Sequence, residues 1–222
     1  MQFDASLLPS TFRRTWNMIV AMPGAVLVAW LSIATLGVIF DVASERSTGF
    51  GGGILFAYGL ALTFAQIWIT REALEHLGFE PALSVANAPG VYLQGVLVGL
   101  GIVLGFLLFV LPGLYVFGRW YLSNTLLILH GGGRRAAMQR SWDMLETRWP
   151  AALGVGLIMF VVTLAPLLAE YYPLPFAAEY PFAALLGVNL VSAVGVVSGY
   201  LAAVALLVNI EQPASKLQEI FS

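Results

Sequence analysis

Cysteine is absent from the 222 residues, which removes disulfides, thiolate metal sites and cysteine nucleophiles together. Charge is scarce: Asp, Glu, Lys and Arg make up 10% of the chain, against roughly 25% in a soluble domain. Basic excess is missing too, since 10 Lys and Arg face 12 Asp and Glu for a net charge of -2. A nucleic-acid partner is therefore not expected. The two histidines, His76 and His130, stand far apart without Glu-x-x-His or His-x-x-x-His spacing, and no Gly-x-Ser-x-Gly elbow occurs. These absences point away from a metal site, a cofactor or an enzymatic centre.

Hydrophobicity is what remains. Apolar residues make up 59% of the chain and the mean hydropathy is +0.87. That is more than one buried core absorbs, and it is the reverse of a disordered composition. The apolar residues fall in long continuous runs, whereas membrane strands alternate. About 20 such residues cross roughly 30 Å of hydrocarbon as a helix. Six runs qualify: Met18 to Phe40, Ile54 to Thr70, Val91 to Leu111, a shorter Leu114 to Leu129, Ala151 to Ala169, and Phe182 to Asn209. The chain reads as an all-α integral membrane protein, a single polytopic domain over 1–222 built as a six-transmembrane-helix bundle. The first run is too long for a cleavable signal and lacks the small-x-small site, so it is expected to stay as an anchor.

Six spans place both ends of the chain on one side. That side would carry Arg13, Arg14, Arg71, Arg134, Arg135, Arg140, Arg148 and Lys216, and the other only Arg46. Eight against one predicts cytoplasmic N- and C-termini in the inner membrane of a bacterium.

Two segments read as amphipathic helices lying on the cytoplasmic leaflet. In Arg134 to Trp149, Met138, Trp142, Leu145 and Trp149 share a helical face, with Arg140 opposite and Arg134, Arg135 and Arg148 at the rim. Trp faces with Arg rims suit headgroup depth, or docking on the ends of the bundle. The N-terminal stripe of Leu8, Phe12, Trp16 and Ile19 with Arg13 and Arg14 repeats the theme. Arg14-Thr15-Trp16-Asn17-Met18 parallels Arg140-Ser141-Trp142-Asp143-Met144, and each is followed by a proline and an outward span. This pattern reads as a weak internal duplication in parallel orientation.

Four further features bear on function. Arg119 falls inside the fourth span, near its outer end, where a charge costs several kcal/mol unless it is paired, wet or snorkelling. Two readings stand: snorkelling or structural pairing, or a ligand or lipid site shared with Tyr115 and Asn124. Leu111-Pro112-Gly113 reads as a tight outer turn or a re-entrant break. The free N–H groups of Gly131-Gly132-Gly133, followed by Arg134 and Arg135, suit a phosphate, or simply a flexible cap. Small residues at Gly95, Gly99, Gly101, Gly105, Gly187, Gly195 and Gly199 point to close helix packing. Gly51 to Gly53 and the aromatic Glu170 to Phe176 stretch read as outer turns.

Leu111-Pro112-Gly113-Leu114-Tyr115, then Arg119, then Ala136-Ala137-Met138-Gln139-Arg140-Ser141-Trp142 resembles the membrane domain found beside bacterial glycerophosphodiester phosphodiesterases and its standalone relatives. That family typically has a Glu where this chain has His130. The resemblance implies a six-helix inner-membrane bundle that engages lipid. The family's phosphodiesterase chemistry belongs to a separate soluble barrel, for which nothing in this chain codes. Three functions are carried forward. The first is a non-enzymatic protein binding anionic lipid headgroups, another membrane protein or a second copy of itself. The second is a transporter or peptide-export and immunity protein with a path along Arg119, Asn124, Gln66 and Asn189. The third is an accessory subunit of a larger membrane complex.

Overall fold

The computed structural model describes residues 6–46, 51–171 and 181–221. They form nine α-helices and no strand: α1 (Leu7–Ala21), α2 (Pro23–Arg46), α3 (Gly51–His76), α4 (Ala88–Leu108), α5 (Val110–Trp120), α6 (Ser123–His130), α7 (Arg134–Met144), α8 (Trp149–Tyr171) and α9 (Pro181–Phe221). Four stretches, Pro23–Ser44, Gly53–His76, Val85–Leu108 and Pro181–Glu211, are long and apolar enough to cross a membrane, and α7 with α8 makes a fifth if taken as one broken span.

The bundle is built around α9, whose side chains from Leu201 to Val208 are all buried. Against it pack α1, α2, α3 and α8. The small residues of α9 make this possible: a Cβ at Gly195 would stand 2.5 Å from Thr163 of α8, and Gly199 faces Met159. At one end, Asn189 of α9 donates to Asp41 Oδ2 of α2 at 2.8 Å, beside stacked Phe40 and Tyr58 rings 4.5 Å apart. At the other, Asn209 of α9 donates to Thr11 Oγ1 at 3.2 Å and Glu211 pairs with Arg140 at 3.8 Å. The loop after α3 joins this second end. Its Ala82 and Leu83 N–H groups donate to Leu129 and Ile128 carbonyls of α6, and Arg71 Nη1 donates to the Leu83 carbonyl at 2.6 Å. Those bonds satisfy carbonyls that a helix C-terminus otherwise leaves without partners. Every basic segment assigned by sequence to the cytoplasmic side meets at this end, called the basic end below; the side chain of Lys216 lies outside the described residues.

Several boundaries differ from the sequence expectation. The first span is two helices, because the backbone turns at Met22 (φ -125°, ψ 53°) and Pro23, lacking an N–H, opens α2. The third run ends at Phe109, an extended residue with φ -167° and ψ 158°, not at Pro112-Gly113. Pro112 instead sits in the first turn of α5, where its missing donor is not needed. Gly113 serves contact: a Cβ on Gly105 would lie 2.8 Å from the Gly113 Cα, so α4 and α5 close backbone to backbone. The fourth run is no continuous helix either, since α5 ends at Trp120 and α6 starts at Ser123. The interfacial segment is helical only to Met144, and α8 leaves at 111°, with Pro150 in its first turn. Gly51 to Gly53 form the first turn of α3. Most of the Glu170 to Phe176 stretch lies outside the described residues.

Candidate functional site

The α7 helix folds back against α6 through Gly131, Gly132 and Gly133, whose φ values of 64°, 74° and 106° need residues without a Cβ. It docks by Ala137, Ser141 and Leu145, all buried, while Met138 and Trp142 stand half-buried beside them. The expected stripe of Met138, Trp142, Leu145 and Trp149 is therefore split: Leu145 enters the core, Trp149 starts α8, and the other two line a groove. Ser141 makes close docking possible because its hydroxyl donates to the Arg119 carbonyl at 2.8 Å. The α1 helix does the same with Thr11 and Thr15, whose hydroxyls donate to the Leu7 and Thr11 carbonyls. Of its expected apolar stripe, Leu8, Phe12 and Ile19 are half-buried, while Trp16 is 64% exposed with Arg13 exposed beside it. Phe12, Trp16 and Ile19 form one wall of an apolar groove of about 520 Å³ completed by Trp30 of α2 and Val197 of α9. Arg14 lies on the other side, near His76.

A larger groove, about 1060 Å³, opens between α4, α5 and α7 and is lined by Trp120, Gly132, Gly133, Arg134, Arg135 and Trp142. Leu97 and Met138 extend its apolar floor. The two guanidinium groups and the first free N–H groups of α7 thus stand at the polar mouth of an aromatic trough. Arg140, on the exposed side of α7, is engaged by Glu211 at 3.8 Å instead.

Arg119 is only 5% exposed. Its Nη1 donates to Tyr115 Oη at 2.9 Å and to the Glu146 carbonyl at 3.3 Å, and its guanidinium carbon lies 4.4 Å from the Trp142 ring centroid. Tyr115 in turn stands edge-to-face with Trp142 and Trp149, at 5.5 and 5.2 Å. No carboxylate among the described residues pairs with this cation, and its Nε has no hydrogen-bond partner. Aromatic faces, a phenol and a carbonyl stabilise the charge without neutralising it. The surroundings correct the expected placement: Arg119 sits at the corner between α7 and α8, at the basic end, and not at an outer headgroup layer.

Asn124 belongs to a different place. With Gln66, Ser123, Thr125, Tyr121 and Thr163 it lines a cavity of about 420 Å³ in which no charged side chain among the described residues takes part. One turn before Val98, which also lines it, Gln94 of α4 is fully buried, and neither Gln94 amide atom nor Asn124 Oδ1 has a hydrogen-bond partner among the described residues. Sequence reading missed Gln94; the signal was a lone amide in an otherwise apolar span. The path along Arg119, Asn124, Gln66 and Asn189 is thus only half assembled. Gln66 and Asn124 share the cavity, while Asn189 is held by Asp41 and Arg119 by Tyr115.

No family model, curated protein or solved structure matches the chain.

Proposed function

We propose that this chain is a polytopic protein of the bacterial inner membrane, non-enzymatic, whose task is to hold anionic phospholipid at its basic end. The observation that supports this most directly is the groove between α4, α5 and α7. A headgroup phosphate fits the N-terminus of α7 beside Arg134 and Arg135, where helix dipole and guanidinium groups act together. The acyl chains then follow Leu97, Trp120, Met138 and Trp142. The unneutralised Arg119 behind Trp142 adds positive potential in a region of low dielectric. On this reading α1 and α7 lie on the cytoplasmic leaflet, both termini are cytoplasmic, and the resemblance to the phosphodiesterase-associated membrane domain reflects a shared lipid-handling bundle.

The test is lipid retention. Purified Arg134→Gln/Arg135→Gln is expected to keep several-fold less phosphatidylglycerol and cardiolipin per protein than the parent, with phosphatidylethanolamine unchanged. Equal anionic lipid in both preparations would defeat the proposal.

A second reading, passage of a small uncharged solute, is favoured by the cavity around Gln66 and Asn124. Three buried amide atoms without protein partners each cost about 1–3 kcal/mol unless something polar meets them. If the cavity admits water, a cysteine placed at Asn124 reacts with small water-soluble thiol reagents; if labelling fails from both sides, this reading falls.

A further inference from the structure

We propose that the cavity around Asn124 is a binding site for a small neutral polyol, a molecule rich in hydroxyl groups and free of charge. Gln66 of α3, Gly99 of α4, Asn124 of α6, Thr163 of α8 and Tyr200 of α9 all line it. Its volume of about 420 Å³ falls within the roughly 300–1,000 Å³ of small-molecule sites. Glycine helps to make the room, since a Cβ at Gly99 would meet nothing within 4 Å. The polar atoms of this region are left open. Asn124 Oδ1 is buried without a hydrogen-bond partner among the described residues. Gln94, one turn before Val98 on the same side of α4, is fully buried, and both its amide atoms lack partners as well. Buried amides are almost always bonded in folded proteins, so three open atoms around one cavity call for a polar occupant.

The walls narrow the class of that occupant. No charged side chain among the described residues lines the cavity, so a phosphate, carboxylate or ammonium group would enter with no compensating charge, at a desolvation cost that a neutral group avoids. Trp120 keeps the cationic mouth apart. It lines both this cavity and the groove of Arg134 and Arg135, and its ring fills the space that a Cβ at Gly101 would take. Asn124 Oδ1 needs a donor, while the Gln94 amide needs a donor and an acceptor. A hydroxyl supplies both from one atom. Phe117, Trp120, Tyr121, Phe160 and Tyr200 add five aromatic rings, whose negative faces attract the polarised C–H bonds of a polyol chain. Water meets the amides but not the rings, and a hydrocarbon tail meets the rings but strands the amides. A polyol meets both.

This site rests on the second reading above, passage of an uncharged solute, and narrows the solute to one class. The parent protein, purified in detergent free of polyols, is dialysed to equilibrium against radiolabelled xylitol or sorbitol. Saturable binding of at least one of them at about 1 mM or tighter is expected. Unlabelled polyol should displace it, whereas gluconate, which carries a carboxylate, should not. Asn124→Leu should bind about tenfold more weakly, the equivalent of one lost buried hydrogen bond. Gly99→Leu keeps the test independent of that variant's folding, because its side chain grows into open space. A monodisperse Gly99→Leu should lose binding, and Arg134→Gln/Arg135→Gln should bind as the parent does. Absence of saturable binding for both polyols, equal binding in Gly99→Leu, or displacement by gluconate overturns the site. Labelling of Asn124→Cys without polyol binding fails this site and leaves passage standing, whereas polyol binding without labelling keeps the site and fails passage.

Discussion

Arg119 shows what one residue can and cannot tell from sequence. Its singularity was legible, because it is the one Asp, Glu, Lys or Arg between Glu80 and Arg134, although the sequence left snorkelling and burial both open. Its depth was not, because depth was inferred from counting crossings, and the count treated Leu114 to Leu129 as one span. The side chain is now tied to Tyr115, and that bond is testable. Tyr115→Phe keeps both edge-to-face ring contacts but removes the hydroxyl acceptor from a charged donor. The expected cost is about 1.5–3 kcal/mol, read as a lower melting temperature by tryptophan fluorescence; an unchanged midpoint would mean that Arg119 does not rely on the phenol. His130 offers a second residue-scale prediction. Burial, reinforced by Arg140 and opposed by Glu211, holds its pKa below the ordinary 6.5. The unfolded chain then takes up this proton first as pH falls, so stability is full above about pH 6.5 and declines below it. His130→Gln should flatten the melting-temperature slope between pH 7 and pH 5, while an identical slope in the variant would remove His130 as its source.

Among the elements, hydropathy located α2, α3, α8 and α9 well, and the amphipathic segments around Trp16 and Trp142 are helical as α1 and α7, but their docking side was not legible. The reason is specific. Thr11, Thr15 and Ser141 count as polar on any scale, yet each bonds a carbonyl and so enters the core at little cost. The helices therefore dock through these hydroxyl residues, with Trp16 exposed and Trp142 half-buried beside them. Both helices share this scheme, with hydroxyls at aligned positions 15 and 141 buried and tryptophans at 16 and 142 beside them. The α4–α5 hairpin was misplaced for another reason: Pro and Gly read as a turn also fit a helix start and a close packing face. Contact geometry makes the difference measurable. A Cβ at Gly113 would meet the Phe106 ring at 2.5 Å and one at Gly105 would meet backbone, but Gly99 has nothing within 4 Å. Gly105→Ala and Gly113→Ala should destabilise by about 1–3 kcal/mol through overpacking. Gly99→Ala should be neutral or stabilising by up to about 1 kcal/mol, since alanine favours helix over glycine. Equal effects at all three sites would show that the hairpin is not closed at Gly105 and Gly113.

For the whole molecule the decisive quantity is whether the number of crossings is even or odd. Taking α2, α3, α8 and α9 as crossings gives four, and the six-span expectation adds two; both are even and keep the termini together. Counting α4 as a crossing and α7 with α8 as one broken span gives five, which would send the C-terminus to the opposite side. The contacts disfavour that split, because Asn209 and Glu211 near the end of the buried part of α9 bond to Thr11 of α1 and Arg140 of α7. Charge disfavours it as well: eight of the ten basic residues come from segments assigned to one side, and basic residues are retained on the cytoplasmic side during insertion. A green fluorescent protein fused after Ser222 should therefore fluoresce, and alkaline phosphatase at the same point should be inactive, with both results reversed for fusions at Ser47. Active phosphatase after Ser222 would require an odd count. It would also place Glu211 and the Arg140 it pairs with across the membrane from the basic N-terminal helix, against the hydrogen bonds that join them at one end of α9.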